Sequence, residues 1–158
     1  MRLMPVLVLA FFSGLLAIYR YQNTTITPQT QVLQKVQSGQ TFVAYANAVA
    51  VFLKSNPSFV GTVSAAQLAA QGTPFSAAFL ASAGNAVTAF GAAGRTITTF
   101  ALLPAGSINT IVSVTGGDAA YGLSSGPTWT SVAPGSTAQA LAANVPNGSV
   151  VSVIQIGL

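Results

Sequence analysis

The chain has 158 residues, of which only 4% are charged: five Lys and Arg, a single acid (Asp118), and no His, Cys or Glu. That inventory excludes a His- or Cys-ligated zinc site, a carboxylate pair for glycoside hydrolysis, histidine general-base catalysis and any disulfide. No metal centre and no cofactor is expected. With 51% apolar residues the chain should still fold, because disorder needs low hydrophobicity together with high net charge. Its missing polarity is made up by Ser, Thr, Gln and Asn. The cations Arg2, Arg20, Lys35, Lys54 and Arg95 are scattered, so no basic track exists for a nucleic-acid backbone.

Leu3–Tyr19 runs 17 residues without a charge. As a helix it would span about 26 Å at 1.5 Å per residue, against a hydrocarbon core of about 30 Å. Arg2, Arg20, Tyr19 and Tyr21 could make up the difference at the interfaces. The residues that would meet lipid are Leu3, Val6, Leu7, Val8, Leu9, Phe11, Phe12, Leu15, Leu16 and Ile18. Pro5 falls in the first turn, where a missing N–H costs little. Residues 1–20 therefore read as a retained signal-anchor. A cleaved signal peptide is the alternative, although a cut after Ala17 would put Leu15 where a small residue is wanted. A type IV prepilin is disfavoured, since its mature chain carries a Glu at the fifth residue and this sequence has no Glu. Arg2 ahead of the span leaves the N-terminus in the cytoplasm and the remainder exported.

Residues 21–27 read as an extended linker, because successive Thr and Ile disfavour helix. Thr27-Pro28 is a helix start, with a hydroxyl cap and Pro at the first position. The helix should run to Ser55, where Asn56-Pro57 stops it. One stripe holds Val32, Val36, Gly39, Val43, Ala46, Ala50 and Leu53; a second holds Phe42, Tyr45, Val49 and Phe52. The second half is apolar almost all round, which implies burial on more than one side. Either the helix lies centrally on its own sheet, or the Phe42, Tyr45, Val49 and Phe52 face docks on a partner.

Ser64 and Gln67 fit a capping box for a short helix through about Ala70. Phe75–Ala83 is ambiguous. Strands are expected over Ala86–Ala92 and Thr96–Leu103, with Gly94-Arg95 as the hairpin turn between them. Ser107 would cap a helix over Ile108–Val114, ended by Gly116-Gly117, with a strand as the alternative its Ile and Val content leaves open. Ala119–Leu123 and Thr128–Val132 form a hairpin about Ser124–Pro127. Ser136–Ala143 reads as a short helix capped by Ser136. Ser149–Ile156 is the strongest strand and belongs at the sheet centre. The whole is α+β: an N-terminal transmembrane helix, then a domain over residues 28–158 with an antiparallel sheet packed on a long N-terminal helix.

Little here performs chemistry. Gly116-Gly117-Asp118 lacks the Lys-Ser/Thr end of a phosphate loop, and its one carboxylate alone makes a poor calcium site; it reads as a turn. No Ser stands three residues before Lys35 or Lys54, so a serine-x-x-lysine hydrolase fails, leaving only a spatial Ser–Lys pair as a third functional reading. Arg95 reads as closing a turn or donating to the domain's own carbonyls, with a ligand role as the lesser alternative, and Trp129 and Tyr121 as cross-strand packing.

The chain resembles the PilM family of conjugative thin-pilus systems, which is unrelated to the actin-like pilus ATPase of the same name. The resemblance rests on the N-terminal apolar segment, Tyr45-Ala-Asn-Ala-Val49, Asn56-Pro-Ser-Phe-Val-Gly-Thr-Val63, Ala83-Gly-Asn85, Gly94-Arg95, Leu103-Pro-Ala-Gly106 and Gly126-Pro-Thr-Trp129. It implies a non-enzymatic, single-pass component of the bacterial inner membrane with a periplasmic domain. Its place would be a type IVB pilus assembly or pilin transport apparatus used in conjugation. Partners would be other pilus assembly proteins, with pilin as a further candidate, and no nucleic acid. No catalytic residue carries over. The competing expectation is a minor pilin or secreted adhesin-like binding module that loses its N-terminal segment.

Overall fold

The computed structural model describes residues 29–157. The expected membrane segment with its lipid-facing residues, the linker and the Thr27-Pro28 helix start lie outside the described residues. The chain divides into two compact units, Met1–Gln34 and Lys35–Leu158. The first is described only over residues 29–34, where Val32 and Leu33 are exposed. Among the described residues no helix is long and apolar enough to cross a membrane.

The fold is α+β. Helix α1 (Gln29–Ser55) precedes two short helices, α2 (Ala65–Ala70) and α3 (Ala77–Leu80). Strands β1 (Ala83–Phe90) and β2 (Gly94–Ala101) follow, then α4 (Ser107–Thr115). Strands β3 (Tyr121–Ser125), β4 (Thr128–Ser131), β5 (Gln139–Ala140) and β6 (Val150–Ile156) complete the chain. The strands make one six-stranded sheet in the order β1-β2-β6-β3-β4-β5, antiparallel throughout. The last strand thus sits inside the sheet and joins the β1–β2 hairpin to the β3–β4 hairpin, the central place its unbroken apolar run demands.

Helix α1 ends at Ser55, as Pro57 requires. Asn56 Nδ2 donates back to the Phe52 carbonyl at 2.8 Å, closing the last turn. Gln40, Ala44, Asn47, Val51 and Lys54 form its exposed stripe, and most of the remaining second half is buried. Phe42, Tyr45, Val49 and Leu53 share one core with Val87, Ile97, Ala101, Val150 and Ile111. The two expected stripes are therefore one broad face, set by Gly39, Phe42, Tyr45, Ala46, Val49, Phe52 and Leu53; Val36, from the first stripe, is exposed. Gly39 is where α4 crosses α1: a methyl group there would stand 2.9 Å from Thr110 Cβ and 3.0 Å from the Ser107 carbonyl.

The capping box at α2 is present as read: Ser64 Oγ accepts from Gln67 N–H, and Gln67 Oε1 accepts from Ser64 N–H at 2.8 Å. The ambiguous stretch contains α3, capped by Ser76. Three local expectations are corrected. Gly94-Arg95 is not the hairpin turn but the start of β2, because Gly91, with φ +60°, supplies the left-handed turn residue. Ser107 does not cap α4: Gly106 holds that position at φ +89°, and the Ser107 hydroxyl turns back to the Pro104 carbonyl at 2.8 Å. Ser136–Ala143 is not a helix. Between Pro134 and Pro146 the segment is too short to nucleate one cheaply, and Gln139 and Ala140 instead pair with Trp129 and Thr128, covering part of the β4 edge.

On the sheet face away from α1, aromatic rings lie over glycines of the neighbouring strand. Phe100 covers Gly84, and Trp129 covers Gly122. At Gly122 a methyl group would stand 2.7 Å from Trp129 Cε3 and closer still to the Thr130 carbonyl oxygen. Since that oxygen belongs to the backbone, the hairpin itself would have to shift. Gly122→Ala should therefore destabilise the protein by about 1–3 kcal/mol and red-shift the Trp129 emission. Urea unfolding followed by fluorescence measures both; an unchanged midpoint would show that the strands do not approach so closely.

Candidate functional site

The face expected to meet a partner is placed elsewhere by the fold. Phe42, Tyr45, Val49 and Phe52 are at most 8% exposed and belong to the domain's own core. Phe42 meets Tyr121 edge-on at 6.3 Å, Tyr45 meets Phe75 and Phe79 at 5.3 and 5.5 Å, and Phe52 meets Phe59 at 5.2 Å. The correction has a physical reason. The sheet's inner face offers apolar surface along β1, β2 and β6, and burying the helix there removes more of it from water than an external contact could.

Two buried polar side chains lock α1 to the sheet. Asn85, on β1, accepts from Val63 N–H through Oδ1 at 2.7 Å. Its Nδ2 donates to the Val63 carbonyl at 2.9 Å and to Tyr45 Oη at 2.7 Å. One amide thus joins strand, helix and the 61–63 segment, which also bridges to Val87 through Gly61. Burial pushes the Tyr45 phenol above the usual value of 10.0, and the Asn85 hydrogen bond opposes it. Tyr121 is raised by burial first and by the Asp118 carboxylate second, with Ser152 opposing.

Arg95 closes no turn, being in β2, and takes the other reading, contact with backbone carbonyls. Only 8% exposed, it donates from Nη1 to Asn56 and Phe59 carbonyls at 2.9 and 3.3 Å, and from Nη2 to the Leu53 carbonyl at 3.4 Å. A cation at a helix C-terminus is favoured by the macrodipole, which answers the charge where the chain has no carboxylate to spare. Asp118, the single acid, accepts from Ala120 N–H at 2.9 Å in a local turn. Hydroxyls of Ser82, Ser107, Ser124 and Ser131 donate to main-chain carbonyls.

The site that sequence reading missed is a groove on the outer sheet face. Two adjoining hollows of about 450 and 260 Å³ share Trp129, Gln139, Val153 and Gln155. The first adds Ser131 and Ser136; the second adds Phe90, Thr96 and Leu141. None of the lining residues is charged. The groove exists because β5 and the residues after it fold back beside β6, the very segment expected to be a helix. Alternation along β6 was the available signal, since it puts Val153 and Gln155 on one face.

Comparison with known proteins gives the class first. A crystal structure described as putative protein PilM from Escherichia coli B7A is similar in fold, with TM-score 0.59 and 14% identity over 82% of this chain and 98% of that one. The family model of PilM matches residues 8–153. The chain belongs to the PilM family of conjugative pilus proteins, and its role is pilus-related. No curated protein matches it.

Asn85→Leu keeps the branched shape but strips three hydrogen bonds, leaving the Val63 amide and carbonyl and the Tyr45 hydroxyl buried without partners. It should cost at least about 2 kcal/mol, against roughly 1 kcal/mol for Tyr45→Phe. Denaturant unfolding of both variants checks the order; equal losses would remove Asn85 from its bridging role.

Proposed function

We propose that this protein is a non-enzymatic component of the bacterial inner membrane that serves a type IVB pilus assembly or pilin transport apparatus in conjugation. Residues 1–20 anchor it, with the N-terminus in the cytoplasm and the 28–158 domain in the periplasm. The family match carries the reading. It begins at residue 8, inside the uncharged Leu3–Tyr19 run, so the match includes that run from Val8 onward, which supports the anchor reading. The internal use of Arg95, Asp118 and the serine hydroxyls supports a structural rather than a chemical task. Contacts with other pilus assembly proteins, pilin among them, would fall on positions the core leaves exposed, such as Val51 on α1, Val114 on α4 and Leu123 on β3.

One observation favours a second reading, a minor pilin or binding module with a processed N-terminus. Val32 and Leu33 stand exposed on the opening turns of α1, as a helix that packs among neighbours would have them. N-terminal sequencing of the mature protein separates the two, since only the scaffold keeps the segment from Met1 or Arg2 onward.

In cells, photocrosslinkers at Val51, Val114 and Leu123 should capture pilus assembly proteins, and alkaline washing should leave the full-length protein in the membrane pellet. Release by alkali as an intact chain, or normal pili after deletion of the gene, would contradict the proposal.

A further inference from the structure

The larger hollow lies where the sheet is one strand short. β6 pairs with β2 along its whole length, but with β3 only at residues 150–152. The last main-chain bond on the β3 side runs from Val153 N–H to the Ala120 carbonyl at 2.8 Å. Continued register would set residue 118 opposite Gln155. A turn prevents it: Tyr121 N–H donates to the Asp118 carbonyl at 3.1 Å, and the chain leaves β6 there. Main-chain groups alternate in direction along a strand, so the N–H and C=O of Gln155 point the same way as those of Val153, into the gap. Among the described residues neither has a main-chain partner on that side. Gln155 is exposed, and with Ala119, Ala120 and Val153 it lines the hollow of about 450 Å³. The adjoining hollow borders β5, the last strand of the sheet. Leu141 N–H donates to the Pro127 carbonyl at 2.8 Å, so the groups of Ala140, one residue back, face away from β4.

We propose that this gap takes an extended segment of a partner protein, added as a strand in line with β3 and antiparallel to β6. Unpaired main chain on a strand selects polypeptide, because an added strand returns the donor and acceptor that Gln155 lacks, in ladder geometry. The surroundings choose its side chains. One face of the added strand meets Val153 and Trp129. The other lies toward Ile154 and Ile156, which pack against the core. Both faces favour β-branched, uncharged residues, and no charged residue lines either hollow. Asp118, the chain's single acid, marks one end. It is exposed beside Ala119 at the rim, and the bond from Ala120 N–H to its Oδ1 at 2.9 Å fixes the carboxylate there. The segment is therefore neutral within the groove and basic where it passes Asp118.

Trp129 is the chain's single tryptophan and lines both hollows, so its emission reports on the groove. Full-length protein in detergent is titrated with the end-blocked peptide Thr-Val-Thr-Val-Thr-Lys, with its Glu-ended counterpart, and with a copy of the first N-methylated at every residue. Methylation removes the main-chain donors and keeps the side chains. The Lys peptide should give a saturable change in emission. The methylated copy should bind at least about 10-fold more weakly, and the Glu peptide about 2- to 5-fold more weakly. Asp118→Asn should abolish the preference for Lys over Glu. Gln155→Pro removes the N–H that faces the gap, while Ile154 and Ile156 keep their bonds to β2; it should weaken binding as methylation does. If that variant fails to fold, the methylated peptide tests the same bonds. Flat emission to millimolar Lys peptide, equal binding by the methylated copy, or a Lys preference that survives Asp118→Asn would overturn the proposal. So would emission that changes when the free protein is diluted, since that would put a second copy in the groove.

Discussion

Phe42, Tyr45, Val49 and Leu53 of α1 share a core with Val87, Ile97 and Val150 of the sheet, and this seam constrains the rest of the molecule. Each of these large side chains contributes on the order of 1.5–3 kcal/mol by leaving water. With no cysteine and a single acid, the chain has neither a disulfide nor an ion-pair network to replace that contribution. Two buried polar side chains hold the seam in place. Asn85 ties its middle to β1, and Arg95 caps its end.

Near-neutrality shapes the interior as well as the surface. Across the inner face, Asn85 lies opposite Thr99, Thr99 opposite Ser152, and Ser152 opposite Tyr121. This polar row crosses four strands beneath an apolar helix. Asn85 meets its hydrogen-bonding needs there, whereas the Thr99 hydroxyl has no partner among the described residues. The outer face solves a different problem. Gly84 and Gly122 leave room that Phe100 and Trp129 cover, so small and large residues alternate across neighbouring strands. That arrangement brings the Trp129 ring over the neighbouring strand and gives the groove its aromatic wall.

Much of this was legible in the residues. Pro57 and the β-branched run Val150–Ile156 gave α1 its end and β6 its central place, and Ser64 with Gln67 announced α2. Of the two readings of Arg95, closing a turn failed and contact with carbonyls held, in a chain where one acid leaves a cation few other partners. The failures share a cause. Ser136–Ala143 has helical composition, yet pairing with β4 decided its state, and no local pattern encodes a two-residue edge strand. The Phe42 to Phe52 face carried the same apolar signature that a docking face would. Only the position of the sheet, set by residues 40 to 100 places further along, distinguishes the two. The groove was illegible for the same reason, since it joins β2, β4, β5 and β6.

Placing that face inside the domain moves the search for pilus partners onto the outer stripe of α1, onto α4 and onto the exposed part of β3 at Leu123. Because the chain has no cysteine, single-cysteine variants give an unambiguous probe of the seam. Val49 is 0% and Val51 53% exposed. Maleimide labelling of the native protein should leave Val49→Cys unreactive until denaturant is added, while Val51→Cys reacts at once. Equal labelling of the two in the native state would contradict the account, for it would mean that α1 does not pack on its own sheet.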